Sequence, residues 1–543
     1  MIQANSSNIT TQDFIEKGFF PKELVPAFTT EHLAANLNKI NHYVQNPSKK
    51  YSKFISYSFP KSKYSRRILG IPNPLHQVIL CNLLSQKWQD IEKFILSSPL
   101  CKRLPLYYKR RAVSSYPINL PAERAISSAS HRYRLYTDIS RFYSTIYTHS
   151  IPWALHEKQI AKARRHDKSL IGNQIDEFVR NTQDQQTLGI PIGPDSSFVI
   201  AEIIGSSVDT ILVDRLKVTP QGFRYVDDYY LYFNSYSEAE RALSEINRIL
   251  QEFELEINSN KASIVELPEP VESIWVSEIR RCPISNSKRL EQYSDLLTYF
   301  SKVFEYSKLF PDETVIKYAL SRINRTHILD SNWELCESFI LQSIIAAPNA
   351  LIVATEILLK YSKKYELNVE KISETINLII LQHSDLNHSH EISWALWLSK
   401  TLSIPIKEEI AQKISQLEDS IVAIITLDMN SSSLIQGKID FNLWESMMTI
   451  DNLYSSNWLL CYEANLKEYF PQTIQSNYVE NDDFFAVLKQ NNVSFYDGSK
   501  QIQIDEEDED NYDEDNYDED NYDEDNYDED NYGYDSSDFW FWY

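Results

Sequence analysis

Between Gly222 and Gly437 the chain contains no glycine. Glycine enters left-handed backbone without steric penalty and tight β-hairpins rely on it, so so long a stretch without it disfavours an all-β arrangement and favours helices. The apolar pattern agrees. Apolar residues recur at helical spacing across 290–310, 333–347, 351–365, 372–382, 392–402 and 406–425, with short polar or proline-containing breaks between segments. The architecture expected for residues 286–500 is an all-α array of stacked helical hairpins, solenoid-like but without a recognisable sequence repeat.

Upstream the character changes. β-branched and aromatic residues cluster at 133–139 and 222–234 between turn signals, which predicts strands. Residues 151–164 and 196–213 predict helices, the second carrying one internal glycine, Gly205. Such alternation predicts an α+β or α/β domain over 51–285, preceded by a helical segment at 1–50. No run of 18 uncharged apolar residues occurs and the first residues are polar, so the expectation is a cytoplasmic protein with no membrane partner. Five cysteines (Cys81, Cys101, Cys282, Cys336, Cys461) lie far apart and never form a CxxC pair, which predicts buried, reduced thiols.

The net charge of −24 would exclude most nucleic-acid partners if it were spread evenly, but it is not. From Asp505 onward there are 20 acidic and no basic residues, which leaves only −4 for everything before. Residues 51–150 hold 16 Lys and Arg against 4 Asp and Glu, whereas residues 251–504 hold 21 against 35. A basic segment in an acidic chain is the footprint of a phosphate-binding groove, or else a solvated basic face.

The strongest local feature is Arg224-Tyr225-Val226-Asp227-Asp228-Tyr229-Tyr230-Leu231. Two carboxylates between β-forming flanks fit a hairpin turn, and neighbours on a strand point to opposite faces, so a further acid must come from another strand. Asp138, ending the strand-like Tyr133-Arg134-Leu135-Tyr136-Thr137, is the candidate. Hard divalent cations held by such acids, roughly 3.5 to 4 Å apart, can activate a 3′-hydroxyl and stabilise leaving pyrophosphate. Taken alone, Asp-Asp is more often a solvated surface turn.

The wider set of motifs resembles reverse transcriptases. Asp138-Ile139-Ser140-Arg141-Phe142-Tyr143 is similar to their first palm motif, and Tyr225-Val226-Asp227-Asp228, about 90 residues on, to their second. Gly189-Ile190-Pro191-Ile192-Gly193-Pro194 lies between, where that family has its Gly-x-Pro-x-Gly segment. Arg66-Arg67-Ile68-Leu69-Gly70-Ile71-Pro72 resembles the fingers segment that binds the incoming triphosphate, and Leu255-Glu256-Ile257-Asn258-Ser259-Asn260-Lys261 the motif ending in lysine. The run from Phe142 through Ser150-Ile151-Pro152-Trp153-Ala154, with a helical array in place of a maturase or RNase H domain, most resembles the bacterial abortive-infection and defence-associated group.

That resemblance implies an α+β right-hand fingers and palm domain, an all-α helical-repeat domain in the place of a thumb, and a disordered acidic tail at 501–543. It implies an RNA-directed DNA polymerase using two Mg2+ ions and deoxynucleoside triphosphates, a noncoding RNA template, a DNA product that in some relatives stays covalently attached, and a homo-oligomer. Carried over by position, Asp138, Asp227 and Asp228 are the expected metal ligands, and Lys261 the acid for leaving pyrophosphate. Arg66, Arg67, Ile192 and Gly193 are expected around the nucleotide, with Tyr143 below its sugar to exclude a 2′-hydroxyl. One departure stands out: Ile192 occupies a position where retroviral-type enzymes usually carry glutamine, so a polar contact is replaced by packing. A template-independent, tyrosine-primed polymerase is the alternative enzyme; a non-catalytic nucleic-acid-binding helical scaffold is the alternative outside enzymes.

The tail repeats Asp-Glu-Asp-Asn-Tyr five times before an aromatic end, Phe539-Trp540-Phe541-Trp542-Tyr543. Dense like charge cannot fold alone. Its tyrosines (Tyr512, Tyr517, Tyr522, Tyr527, Tyr532, Tyr534 and Tyr543) are candidate priming hydroxyls on a segment that reaches over 100 Å at about 3.3 Å per residue. Shielding of the basic groove and anchoring of an oligomer are the competing roles. Two weaker signals remain. Arg322 and His327 have the spacing of an RNase motif, and His383, His388 and His390 near Asp385 have the composition of a transition-metal site, although a polar interhelical loop is the better reading of them.

Overall fold

The computed structural model describes residues 9–45, 50–62, 65–102, 111–113, 119–471 and 477–502. Two antiparallel sheets organise the first half. β1 (Ile55–Pro60) and β2 (Arg66–Ile71) form a hairpin paired from Ile55 opposite Ile71 to Pro60 opposite Arg66. The larger sheet contains β3 (Tyr133–Asp138), β4 (Gln221–Tyr225), β5 (Asp228–Phe233) and β6 (Ser263–Glu266), in the spatial order β4-β5-β3-β6.

Helices cover this sheet because their apolar faces match it. Tyr236–Glu252 opens with a reciprocal capping box between Ser235 and Glu238 and lays its buried Ala239, Ala242, Ile246, Ile249 and Leu250 against β3 and β5. Asp195–Leu216 is buried over most of its surface, Glu202 and Asp209 included, as a helix enclosed by neighbours must be. By length and hydropathy alone it could cross a bilayer, but 78% of its most apolar window is buried among other helices of the fold.

After residue 285 the chain forms the expected array. Four consecutive helical hairpins stack: Arg289–Leu309 with Val315–Asn324, Asp330–Ala346 with Leu351–Ser362, Val369–Ser384 with Ser389–Thr401, and Glu408–Ile414 with Ser420–Ser431. Each first helix packs on the first helix of the next hairpin, and each second helix on the next second helix, giving two layers. Two expectations need correction. Residues 406–425 are two helices, because Asp419 accepts hydrogen bonds from the amides of Ile421 and Val422 and starts the second. Residues 151–164 are likewise split, into Ser150–His156 and Lys158–Ala163, where Glu157 enters left-handed backbone at φ 63°.

The array folds back onto the beginning of the chain. Ser389–Thr401 packs on β1, the Trp394 indole N–H donates to the Glu23 carbonyl at 2.9 Å, the Thr29 amide donates to the Phe495 carbonyl at 3.0 Å, and Trp458 donates to the Ile71 carbonyl at 3.4 Å. One continuous apolar core therefore runs from Ile9 to Tyr496. All five cysteines are buried, and none is joined in a disulfide.

Because the core is shared, Trp394→Ala should lower the urea midpoint of the whole chain, not of the array alone. The expected cost is about 3 to 5 kcal/mol for truncating so large a buried side chain. Tryptophan fluorescence and far-UV circular dichroism should report one coincident, shifted transition; two separated transitions would contradict a common core.

Candidate active site

The β4–β5 hairpin turns on two residues, Val226 and Asp227, with Tyr225 paired to Asp228. Val226 sits at φ 58°, a conformation that costs a β-branched residue energy, so something must hold it. The holder is Arg224, whose Nη1 donates to the Val226 carbonyl at 2.7 Å. Its guanidinium is fully buried and paired to two carboxylates of the Asp195–Leu216 helix, Asp209 (Nε to Oδ2, 2.9 Å) and Glu202 (Nη2 to Oε2, 3.2 Å). Burial opposes its charge, but Asp209 and Glu202 outweigh that and hold the group protonated. Tyr229 and Ser98 donate to the two Asp209 oxygens at 2.9 and 2.6 Å. Gly205 makes room: a Cβ there would stand 2.6 Å from Arg224 Cζ.

Next to β5, the β3 register sets Asp138 directly opposite Asp228. The Ile139 amide donates to the Asp227 carbonyl at 3.1 Å, tying the hairpin turn to the end of β3. Asp138 is 6% exposed, and its Oδ2 accepts from Lys261 Nζ at 2.9 Å and from Asn258 at 3.4 Å. Its other oxygen, Oδ1, is buried with no hydrogen-bond partner. Asp228 Oδ1 accepts from the Tyr136 hydroxyl at 2.7 Å.

Electrostatically this corner is short of positive charge. Burial, then the charge of Asp227, pushes the Asp228 carboxyl up to about 7. Asp227 is raised by burial and by Asp138, against the pull of Arg67 and Lys261. Burial works against the Lys261 charge, but the hydrogen bond and charge of Asp138 prevail and raise it. The three carboxylates repel one another and one has an orphaned buried oxygen, so they offer hard oxygen donors of the kind divalent cations take, although their donor atoms do not all lie within 4.8 Å of one another.

The remaining expected residues divide. Arg67 and Lys61 carry charge felt at the aspartates; Lys61 is itself lowered by burial and by Arg67 and Lys261. Arg66 faces elsewhere, since adjacent strand residues alternate sides: its Nη1 and Nη2 each donate to a Glu391 oxygen at 2.7 Å, and its Nε to Ser58 Oγ at 2.7 Å. The two arginines thus do not act as one clamp. Ile192 accepts through its carbonyl from the Gly70 amide at 2.8 Å, which joins the central motif to β2. The carbonyl of Tyr143 accepts from the Ile190 amide at 2.9 Å, and its ring is half-buried beside Phe142. Gly193, at φ 123°, lies against Pro21, which a Cβ would strike, and its carbonyl accepts from Arg111 at 2.8 Å. Arg322 donates to the carbonyls of Ile279 and Cys282, so its partners are structural and His327 is not among them. The seven tail tyrosines lie outside the described residues.

Sequence reasoning missed Lys61, Tyr136 and the Arg224–Glu202–Asp209 network. Only Gly205, alone inside an apolar helix, hinted that something bulky passes there. Arg224→Met should destabilise the chain by about 3 to 5 kcal/mol, because two buried carboxylates lose their partner. Gly205→Ala should fold, with a smaller loss in denaturation midpoint, while the displaced guanidinium releases the Val226 turn; hydrogen exchange at the Asp227 and Asp228 amides would then rise. Unchanged exchange in Gly205→Ala would contradict this support.

Residues 60–290 match the family described as reverse transcriptase (RNA-dependent DNA polymerase). That match supports RNA-directed DNA polymerase activity, and polymerases of that family generally use divalent metals. No curated protein sequence matches the chain. Among solved structures, apo telomerase from Candida tropicalis is similar at 12% identity and a TM-score of 0.31, covering 73% of each chain. Telomerase from Candida albicans, in complex with a TWJ fragment of telomeric RNA, is similar at 13% identity and a TM-score of 0.28, covering 73% of this chain and 69% of that one. Overlap that loose carries no argument about arrangement.

Proposed function

We propose that the chain synthesises DNA from deoxynucleoside triphosphates at Asp138, Asp227 and Asp228, directed by a noncoding RNA, as a defence-type reverse transcriptase. The observation that carries this reading is Asp138 facing Asp228 across paired strands with its Oδ1 buried and unpartnered. The three carboxylates would hold two Mg2+ ions, whose charge, when bound, lowers the pKa of the attacking hydroxyl and stabilises the leaving pyrophosphate.

The chain's own groups do the rest. Lys261 orients Asp138 through Oδ2 and carries a proton that it can give to leaving pyrophosphate. Arg67 and Lys61 offer positive charge to triphosphate oxygens, which Arg66, engaged by Glu391, does not. The phenol of Tyr143 lies under the sugar and excludes a 2′-hydroxyl. Gly193, fastened to Arg111 and Pro21, acts on the nucleotide only by fixing the backbone of the central motif.

The defence assignment is supported by the motif run from Phe142 to Ala154 and by the four-hairpin array, and with it go a cytoplasmic setting, a homo-oligomer and priming from a tail tyrosine. A second reading, template-independent extension from such a tyrosine, is favoured by Ile192, which offers no side-chain hydrogen bond where a templating contact is expected. Sequencing the nucleic acid that co-purifies with the protein separates the two: a fixed product complementary to an RNA supports the first, and a compositionally biased product with no complement supports the second.

Asp228→Asn should leave the fold intact and reduce nucleotide incorporation on the order of a thousandfold, the several kcal/mol of transition-state charge stabilisation lost with a metal ligand. Unimpaired incorporation by the Asp227→Asn, Asp228→Asn double variant would sink the proposal. Tyr143→Ala should remain active and accept ribonucleotides at least tenfold better relative to deoxynucleotides, measured by single-nucleotide extension; unchanged discrimination would mean that the gate lies elsewhere.

A further inference from the structure

The turn between the Val369–Ser384 and Ser389–Thr401 helices gathers two imidazoles and a carboxylate away from the aspartates. Asn387 takes left-handed backbone at φ 51°, and the His388 amide donates to the His383 carbonyl at 3.2 Å, so the chain reverses tightly and brings the two histidines together. Their Nδ1 atoms stand 2.7 Å apart, and each is 3.7 Å from Glu391 Oε1. Among the described residues this is the only group of three such side chains whose donor atoms all lie within 4.8 Å of one another. The other two residues suggested by spacing do not join. His390 Nδ1 faces the Tyr57 hydroxyl at 3.3 Å, and Asp385 pairs with Lys413 at 2.8 Å.

Local chemistry suits a metal ion of a particular class. Burial and the nearby Arg66 charge lower both imidazoles, His383 to about 4, so both are neutral and keep a lone pair at physiological pH. With no ion present, one Nδ1 must spend its proton on the other. Glu391 is fully buried and is already held in a fixed orientation by the fork of Arg66, the arrangement in which an outer partner orients a ligating carboxylate. The His388 side chain, 18% exposed, leaves the way in from solvent.

We propose that His383 Nδ1, His388 Nδ1 and Glu391 Oε1 bind one zinc-class divalent transition-metal ion at the joint between the helical array and the fingers hairpin, with water in the fourth position. Two imidazoles and one carboxylate are a known zinc ligand set, and donors at about 2.0 to 2.2 Å from a tetrahedral ion stand roughly 3.3 to 3.6 Å from one another. The carboxylate, at 3.7 Å from both rings, needs to close in slightly, and the rings must part from 2.7 Å to at least about 3.3 Å. No proton has to leave the protein: the one shared between the Nδ1 atoms moves to Nε2 of its own ring, the other neutral tautomer. Magnesium is excluded by the donor type, since hard cations prefer oxygen to imidazole. Arg66 stays on Glu391 as a positioning residue, so the ion stiffens the link from the array to β2, next to Arg67. This inference does not depend on the reaction proposed for the aspartates.

The test uses the full chain, stripped with chelator, then titrated calorimetrically with Zn2+ alone and optically with Co2+ alone. The expected result is one Zn2+ per chain, visible absorption of four-coordinate Co2+, and no displacement by millimolar Mg2+. His388→Gln should weaken Zn2+ at least a hundredfold with an unchanged circular dichroism spectrum, and Arg66→Lys should weaken it about tenfold. Equal Zn2+ binding by wild type and His388→Gln, or no stoichiometric binding by wild type, would overturn the site. Should His388→Gln not fold, X-ray absorption at the zinc edge of the wild type decides: two imidazole shells and no sulfur support the site, and any other first shell refutes it.

Discussion

A guanidinium sealed under the β4–β5 turn governs the rest of this structure. Arg224 must be charged, and in an apolar interior a charge survives only with partners, so Asp209 and Glu202 have to stand on the facing helix and Gly205 has to leave the gap. That fixes the rotation of the Asp195–Leu216 helix against the sheet. The same guanidinium holds Val226 in a conformation it would not choose, and the turn so held carries Asp227 and begins β5 at Asp228. From Asp228 the antiparallel register determines that Asp138 lies opposite. The acidic corner is thus assembled from below by a buried ion network, and its own mutual repulsion is withstood by that support.

A second charged joint binds the halves of the molecule. Arg66 and Glu391 are 325 residues apart in sequence and meet where the hairpin strand reaches the helical array. Glu391 is completely buried, so its pairing with Arg66 satisfies a charge that would otherwise be expelled. Alternation along β2 then turns Arg67 toward the aspartates. One strand serves both as a structural tie and as a source of positive charge for the site, by virtue of the two-residue period alone.

Features set by local periodicity were legible in the sequence. The helical array followed from apolar spacing and absent glycine, and the opposition of Asp138 to the Asp227-Asp228 turn followed from strand alternation and the need for another acid. What was illegible depends on distant partners. Nothing near Arg66 tells that Glu391 will claim it, and nothing near Arg224 names Glu202 and Asp209. Helix breaks at Glu157 and Asp419 were missed because each rests on one residue's backbone angle or cap within an otherwise periodic stretch. Among the histidines, geometry brings His383 and His388 together and leaves His390 apart, because the left-handed Asn387 folds one pair together and sends the third toward Tyr57.

The central claim is that the orphaned Asp138 oxygen and the crowded Asp227 and Asp228 carboxylates form a metal-dependent nucleotidyl-transfer centre. Crystals grown with Mn2+ and a non-hydrolysable deoxynucleoside triphosphate, phased near the manganese edge, test it directly. The account predicts anomalous density bonded to Asp138 Oδ1 and to at least one of Asp227 and Asp228, with the triphosphate against the same ions. Nucleotide bound elsewhere, or bound with no manganese at these three aspartates, would contradict it.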